Sequence, residues 1–113
     1  MKETCRVVGF LGKKQCHELK TWPKHFEGLQ AGWKTFEVRK DDRGFMCGDF
    51  LWFREWCPTK LAFKGRHIVK RVSYVMTSAM FPDGLVDGYA VMAIESVAKS
   101  VAEDVIRVIG EAR

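Results

Sequence analysis

Between Phe50 and Glu95 the chain carries three β-rich runs: Phe50 to Trp56, His67 to Thr77 and Tyr89 to Glu95. They are parted by turn residues alone: Cys57-Pro58-Thr59, Gly65, and a loop bracketed by Pro82-Asp83-Gly84 and Asp87-Gly88. A doubly wound parallel sheet needs a crossover helix between successive strands. Nothing in this stretch is long and periodic enough to supply one. Strands that follow one another through turns point to a mixed or antiparallel barrel. No Gly-x-Gly-x-x-Gly and no phosphate-binding P-loop is present.

Upstream, Gln15 to Lys20 reads as a strand. Thr21-Trp22-Pro23 then reads as a helix start, with Thr21 as N-cap and Pro23 in the first turn, where its missing N–H costs nothing. Trp22, Phe26 and Leu29 form one apolar stripe, and Gly32 is the natural stop. Lys34 to Lys40 follows as a strand. Its alternation puts Phe36 and Val38 on the core face and turns Thr35, Glu37 and Arg39 away from it. Lys40 to Gly44 is a charged loop, and Cys47-Gly48-Asp49 a tight turn with Asp49 bonded to backbone amides. Near the end, Val97, Val101, Val105 and Ile109 recur every four residues. This is a helix, with Ser100 and Glu103 as a capping box and Gly110 as terminator. The expected class is α+β: five to six strands in a barrel, an early short helix and a C-terminal helix. Residues 1–14 are an N-terminal arm or edge strand (Val7, Val8, Phe10, Leu11), 15–96 the barrel, and 97–113 the helix packed on it. Packing of that helix favours a monomer over a dimer.

At 113 residues the chain makes one domain with a sizeable core. Apolar residues at 47% and charged residues at 29% exclude disorder. No apolar run reaches membrane-span length, and Met1 to Lys14 lacks a signal-peptide core. A cytoplasmic protein with no membrane partner is therefore expected. Cys5, Cys16, Cys47 and Cys57 form no Cys-x-x-Cys pair and read as reduced thiols. Metal binding by Cys16, His17, Cys47, Cys57 and His67 is not expected, because the adjacent Cys16 and His17 point to opposite faces of a strand. No cofactor is implied. The net charge of +5 suits a polyanionic partner.

The Lys34 to Arg39 strand carries the most informative side chains. Glu37 can accept bonds from the exocyclic amine of a base, and Arg39 can grip a phosphate or base edge in bidentate fashion. Lys34 and Thr35 add donors. His17 and Lys20, on the strand before the helix, and Arg43, in the loop after it, are further ligand candidates. Trp56 and Tyr89 are candidate stacking platforms for unpaired bases. Trp22 and Trp52 are expected in the core, and Trp33, after a glycine, at the surface. Arg54, Lys60, Lys64, Arg66, Lys70 and Arg71 form a basic series that either tracks a phosphate backbone or is a solvated face.

The order His17-Glu18-Leu19-Lys20-Thr21-Trp22-Pro23, Phe26, Gly32 to Lys40, Asp42-Arg43, Phe45, Gly48-Asp49, Arg54-Glu55-Trp56, Gly65-Arg66 and Gly88-Tyr89-Ala90-Val91 resembles a prokaryotic and phage family. That family has an ASCH-like domain and is known as a domain of unknown function (DUF3850). The resemblance runs from about His17 to Glu95. It implies a PUA-like barrel with a cleft beside the early helix, and RNA or a nucleotide-like molecule as partner. Some ASCH-type relatives are amidohydrolases acting on an acylated cytidine. Lys34 matches their lysine, whereas Glu37 stands where they carry threonine. The loop from Thr77 to Gly88 offers only Asp83 and Asp87 as carboxylates. An RNA- or nucleotide-binding module is thus the first expectation. An amidohydrolase using Lys34 and Glu37 is the second, and a phage or plasmid protein-interaction module the third.

Overall fold

The apolar alternation becomes six strands and the two periodic stretches become two helices in the computed structural model, which describes residues 9–113. The elements run β1 (Gly9–Leu11), β2 (Lys14–Thr21), α1 (Pro23–Ala31), β3 (Phe36–Lys40), β4 (Phe50–Cys57), β5 (Ala62–Thr77), β6 (Tyr89–Ser96) and α2 (Lys99–Ala112). Cys5 and the Val7–Val8 part of the expected edge strand lie outside the described residues.

The strands form one sheet in the order β1-β2-β4-β5-β6-β3. β2 and β4 pair in parallel, from Cys16 beside Phe50 to Thr21 beside Glu55, and all other pairs are antiparallel. A parallel pair needs a long connection, and here it holds α1 and β3. β3 crosses to the far edge beside β6. The Arg39 side chain on β3 reaches the Lys20 carbonyl on β2, so the sheet curls until its edge faces β2. It does not close: among the described residues no backbone ladder joins β3 to β2. The expected barrel is corrected to an open, curled, six-stranded mixed sheet. Along the seam, Arg39 Nη2 donates to Lys20 O at 2.7 Å and Arg43 Nη1 to Glu18 O at 3.0 Å. Side chains thus serve β2 carbonyls that a closing strand would otherwise meet.

Two cores follow from the two sheet faces. Leu19, Leu29, Phe45, Leu51, Phe53, Val72, Met92 and Ile94 fill the inside of the curl. Cys16, Phe50, Trp52, Val69, Val105 and Ile109 join the outer face to α2. Each such large side chain contributes about 1.5–3 kcal/mol by leaving water. α1 covers one mouth of the curl with Phe26 and Leu29. It stops at Gly32, whose φ of 86° suits glycine, with its N–H bonded to Gly28 and Leu29 carbonyls.

Several local expectations change. Trp22, not Thr21, is the N-cap of α1, and the Thr21 hydroxyl turns to the Leu19 carbonyl. α2 is capped by Ala98 without a side-chain bond, so Ser100 and Glu103 form no capping box, and the helix runs through Gly110. Gly65 is inside β5 rather than in a turn. Its φ of 105° forms a bulge where the register jumps between Arg54/His67 and Trp56/Phe63.

β3 shows the largest difference. Its alternation holds, but inside and outside are exchanged: Phe36 and Val38 are each 48% exposed, and Glu37 is 5% exposed. The register explains this. Glu37 sits beside Met92, which points into the curl, whereas Phe36 and Val38 share the outer face with Ala93 and Val91. α2 covers β1, β2, β4 and β5, and the outer face of β3 lies beyond its reach.

Candidate functional site

The seam leaves a cleft of about 270 Å³ between the start of α1, the end of β2, β3 and the start of β6. Glu37 lies at its base. Its Oε2 accepts from Arg39 Nε at 2.7 Å and its Oε1 from Lys34 Nζ at 3.1 Å. A carboxylate this enclosed requires such charge-assisted partners. Both partners are local, at i+2 on the strand and i−3 just before it. Lys34 reaches Glu37 because its stem lies tight against α1. A Cβ placed on Gly28 would stand 3.1 Å from Lys34 Cβ, and the Lys34 N–H donates to the Gly28 carbonyl at 3.0 Å.

The walls combine aromatic, basic and hydroxyl groups. Trp22, 49% exposed, and Tyr89, 37% exposed, line the cleft. Thr21, His25, Arg39 and Lys40 supply the polar lining. Partial burial, then the nearby Lys34 ammonium, hold His25 below the ordinary imidazole value, with Lys24 and Arg39 adding to this and Glu37 opposing it. His25 is therefore neutral at neutral pH, with a ring nitrogen free to accept.

α1 is fixed in place from the other side. At the β5 bulge, Arg66 grips the buried Glu55 carboxylate in bidentate fashion, at 2.8 and 2.9 Å. The same guanidinium donates to Glu27 and Gln30 of α1, and it stacks over Phe26 at 5.1 Å. Those Arg66 bonds hold Glu55 below the usual carboxylate range. This links β4, β5 and the helix that carries Trp22 and His25.

Of the candidate ligand residues, Lys20, Glu37, Arg39 and Tyr89 line the cleft, and Lys34 meets it through Glu37. Four others lie elsewhere. His17 is fully buried inside the curl, its Nε2 3.0 Å from Asp49 Oδ2 and its ring edge-on to Phe45. Asp49 also accepts from the Met46 and Gln15 backbone N–H groups, so this pair fastens β2 to the turn before β4. Thr35 is exposed and bonds through its carbonyl to Ile94 N–H. Arg43 faces the β2 edge and lies 3.8 Å from Asp42. Trp56 is on the outer face, with the Lys20 ammonium 3.9 Å from its ring centroid and Phe63 edge-on at 4.9 Å.

Trp22 and His25 were missed as site residues. The spacing of Trp22 from Phe26 and Leu29 reads as core, yet Trp22 is 49% exposed. The available signal was the i, i+3 spacing of Trp22 and His25, which places the two side by side on α1. Among the described residues, no group of three or more His, Cys, Asp or Glu side chains is placed to hold a metal ion. No described helix is long and apolar enough to cross a membrane. No curated protein matches the chain. Residues 16–94, the whole of β2 to β6 apart from the outermost residues, match the family model described as Domain of unknown function (DUF3850), and the chain belongs to that family.

Proposed function

We propose that the chain is an ASCH-like module of the PUA-like kind that binds RNA or a modified nucleotide in the seam cleft. One observation carries this reading. Glu37, almost fully buried, is held by Lys34 and Arg39 at the base of a cleft flanked by Trp22 and Tyr89. A base amine can donate to the carboxylate, and the aromatic walls can stack on the base. Arg39 and Lys40 can take a phosphate. The cleft size suits a nucleoside-sized guest. The test is a low-salt titration of labelled single-stranded and structured RNAs. Affinity that falls as salt rises, and falls again in Glu37→Gln, supports the reading. A protein that shifts none of these RNAs and binds no nucleotide overturns it.

A second reading, hydrolysis of an acylated cytidine-type nucleoside, is favoured by the Lys34–Glu37 contact and by neutral His25 at the cleft wall. In it Lys34 and Glu37 are the catalytic pair and His25 an added proton acceptor. Incubation with acetylated cytidine decides it. Product formation that survives Lys34→Ala removes the role given to Lys34.

A further inference from the structure

The basic series that runs from β4 into β5 divides sharply once its partners are known. Arg54 pairs with Glu18 at 2.6 Å, Arg66 with Glu55 and Glu27, and Arg71 with Glu95. Lys70 is buried, with its ammonium on the Ser96 hydroxyl. Lys60 and Lys64 are different. Both are exposed, and neither forms an ion pair among the described residues. They flank a second hollow of about 300 Å³ on the β4–β5 hairpin, lined also by Cys57, Ala62 and Phe63 and by no carboxylate.

A run of side chains in contact links this hollow to the seam cleft. Lys20 lines the cleft, and its ammonium caps the Trp56 ring. Trp56 meets Phe63 edge-on, and Phe63 lines the hollow. Each ring along this path already carries a cation on one face: Lys20 on Trp56, and Arg54 3.8 Å over Phe63. The path therefore presents charge beside its rings.

From this we infer that the hairpin is a phosphate-backbone track for single-stranded RNA whose adjoining nucleotide occupies the cleft. The inference rests on the reading of the cleft given above and extends it: the ligand is a chain, not a free nucleotide, and the flanking residues are held without regard to base. Lys60 and Lys64 each neutralise one phosphate.

The test compares a labelled oligouridylate octamer with cytidine monophosphate in salt titrations. The variants are Lys60→Ala/Lys64→Ala and, as an equal-charge control, Lys13→Ala/Lys99→Ala. The hairpin variant should bind the octamer roughly tenfold more weakly, with its salt slope smaller by about 1.4, the share of two phosphate contacts on a single strand. Its affinity for the mononucleotide should not change. The control should retain octamer affinity. Wild-type protein that binds neither probe sinks the cleft reading itself. Wild-type protein that binds the mononucleotide, with the octamer no tighter or equally weakened by the control, overturns the track alone.

Discussion

Arg39 and Glu37 lie two residues apart on an edge strand, and their 2.7 Å contact is also the inner wall of the seam. The guanidinium uses its remaining reach to bond the Lys20 carbonyl on the opposite side. One side chain thus positions the buried carboxylate and spans the gap between β3 and β2.

Removing either partner should have separable effects. Glu37→Gln keeps the shape and deletes a charge-assisted acceptor worth about 1.5–3 kcal/mol, so RNA binding should weaken roughly tenfold or more. Arg39→Ala leaves Glu37 with Lys34 alone and the Lys20 carbonyl unmet. It should cost about 1–3 kcal/mol of stability in a denaturant titration as well as binding.

Gly28→Ala tests how Lys34 is placed. Alanine in a helix interior gains up to about 1 kcal/mol over glycine. Here its methyl meets Lys34 Cβ at 3.1 Å, and Lys34 is tied to the same turn by its own N–H. The variant should therefore melt no higher than wild type. Its RNA affinity should fall several-fold as the ammonium leaves Glu37.

Acid stability should follow Glu18 and Glu55. Burial pushes the Glu18 carboxyl up, but hydrogen bonds from Arg54 and Arg113 outweigh it and hold the group below the ordinary carboxylate value. Arg66 does the same for Glu55. Both groups have folded values below their unfolded ones. Their contribution is complete above the unfolded value, near 4.5, and is lost as pH falls through the folded value. Thermal melts should drop steeply below that pH. Glu18→Gln and Glu55→Gln should melt lower at neutral pH and show a flatter acid limb.

The thiols should react in a fixed order. Cys57 is partly exposed, and bonds from the Thr59 hydroxyl and the Lys60 backbone draw its value down. Cys16 is sealed against α2, and burial, with Asp49 nearby, pushes it up to about 11. Iodoacetamide labelling with peptide mass mapping at neutral pH should modify Cys57 well before Cys16. Cys16 should react only in denaturant.

Much of the fold was legible because strands and turns declare themselves locally. Pro23 and Gly32 bracket α1, and β4 and β6 lie within a residue of where the pattern puts them, whereas β5 starts five residues earlier and runs through the expected turn at Gly65. Trp52 is in the core and Trp33, 80% exposed, is outside, as their contexts suggested. Pairings between distant segments were not legible. Nothing local in Cys16 to Thr21 announces a parallel partner in β4, or that β3 will cross to the far edge. The site suffered most at β3. Hydrophobicity alone sends Phe36 and Val38 inward, but Lys34 and Arg39 together hold the Glu37 carboxylate and let it be buried. His17 was misplaced for a similar reason, since its partner Asp49 arrives from a turn far along the chain.

Side chains rather than a backbone ladder fasten the curl along one line, among them the guanidinium groups of Arg39 on Lys20 and Arg43 on Glu18. Widening that line would cost side-chain contacts and no ladder bond. The tightness of the grip is tuned by arginine geometry, not by the barrel radius that fixes pore size in fully closed sheets.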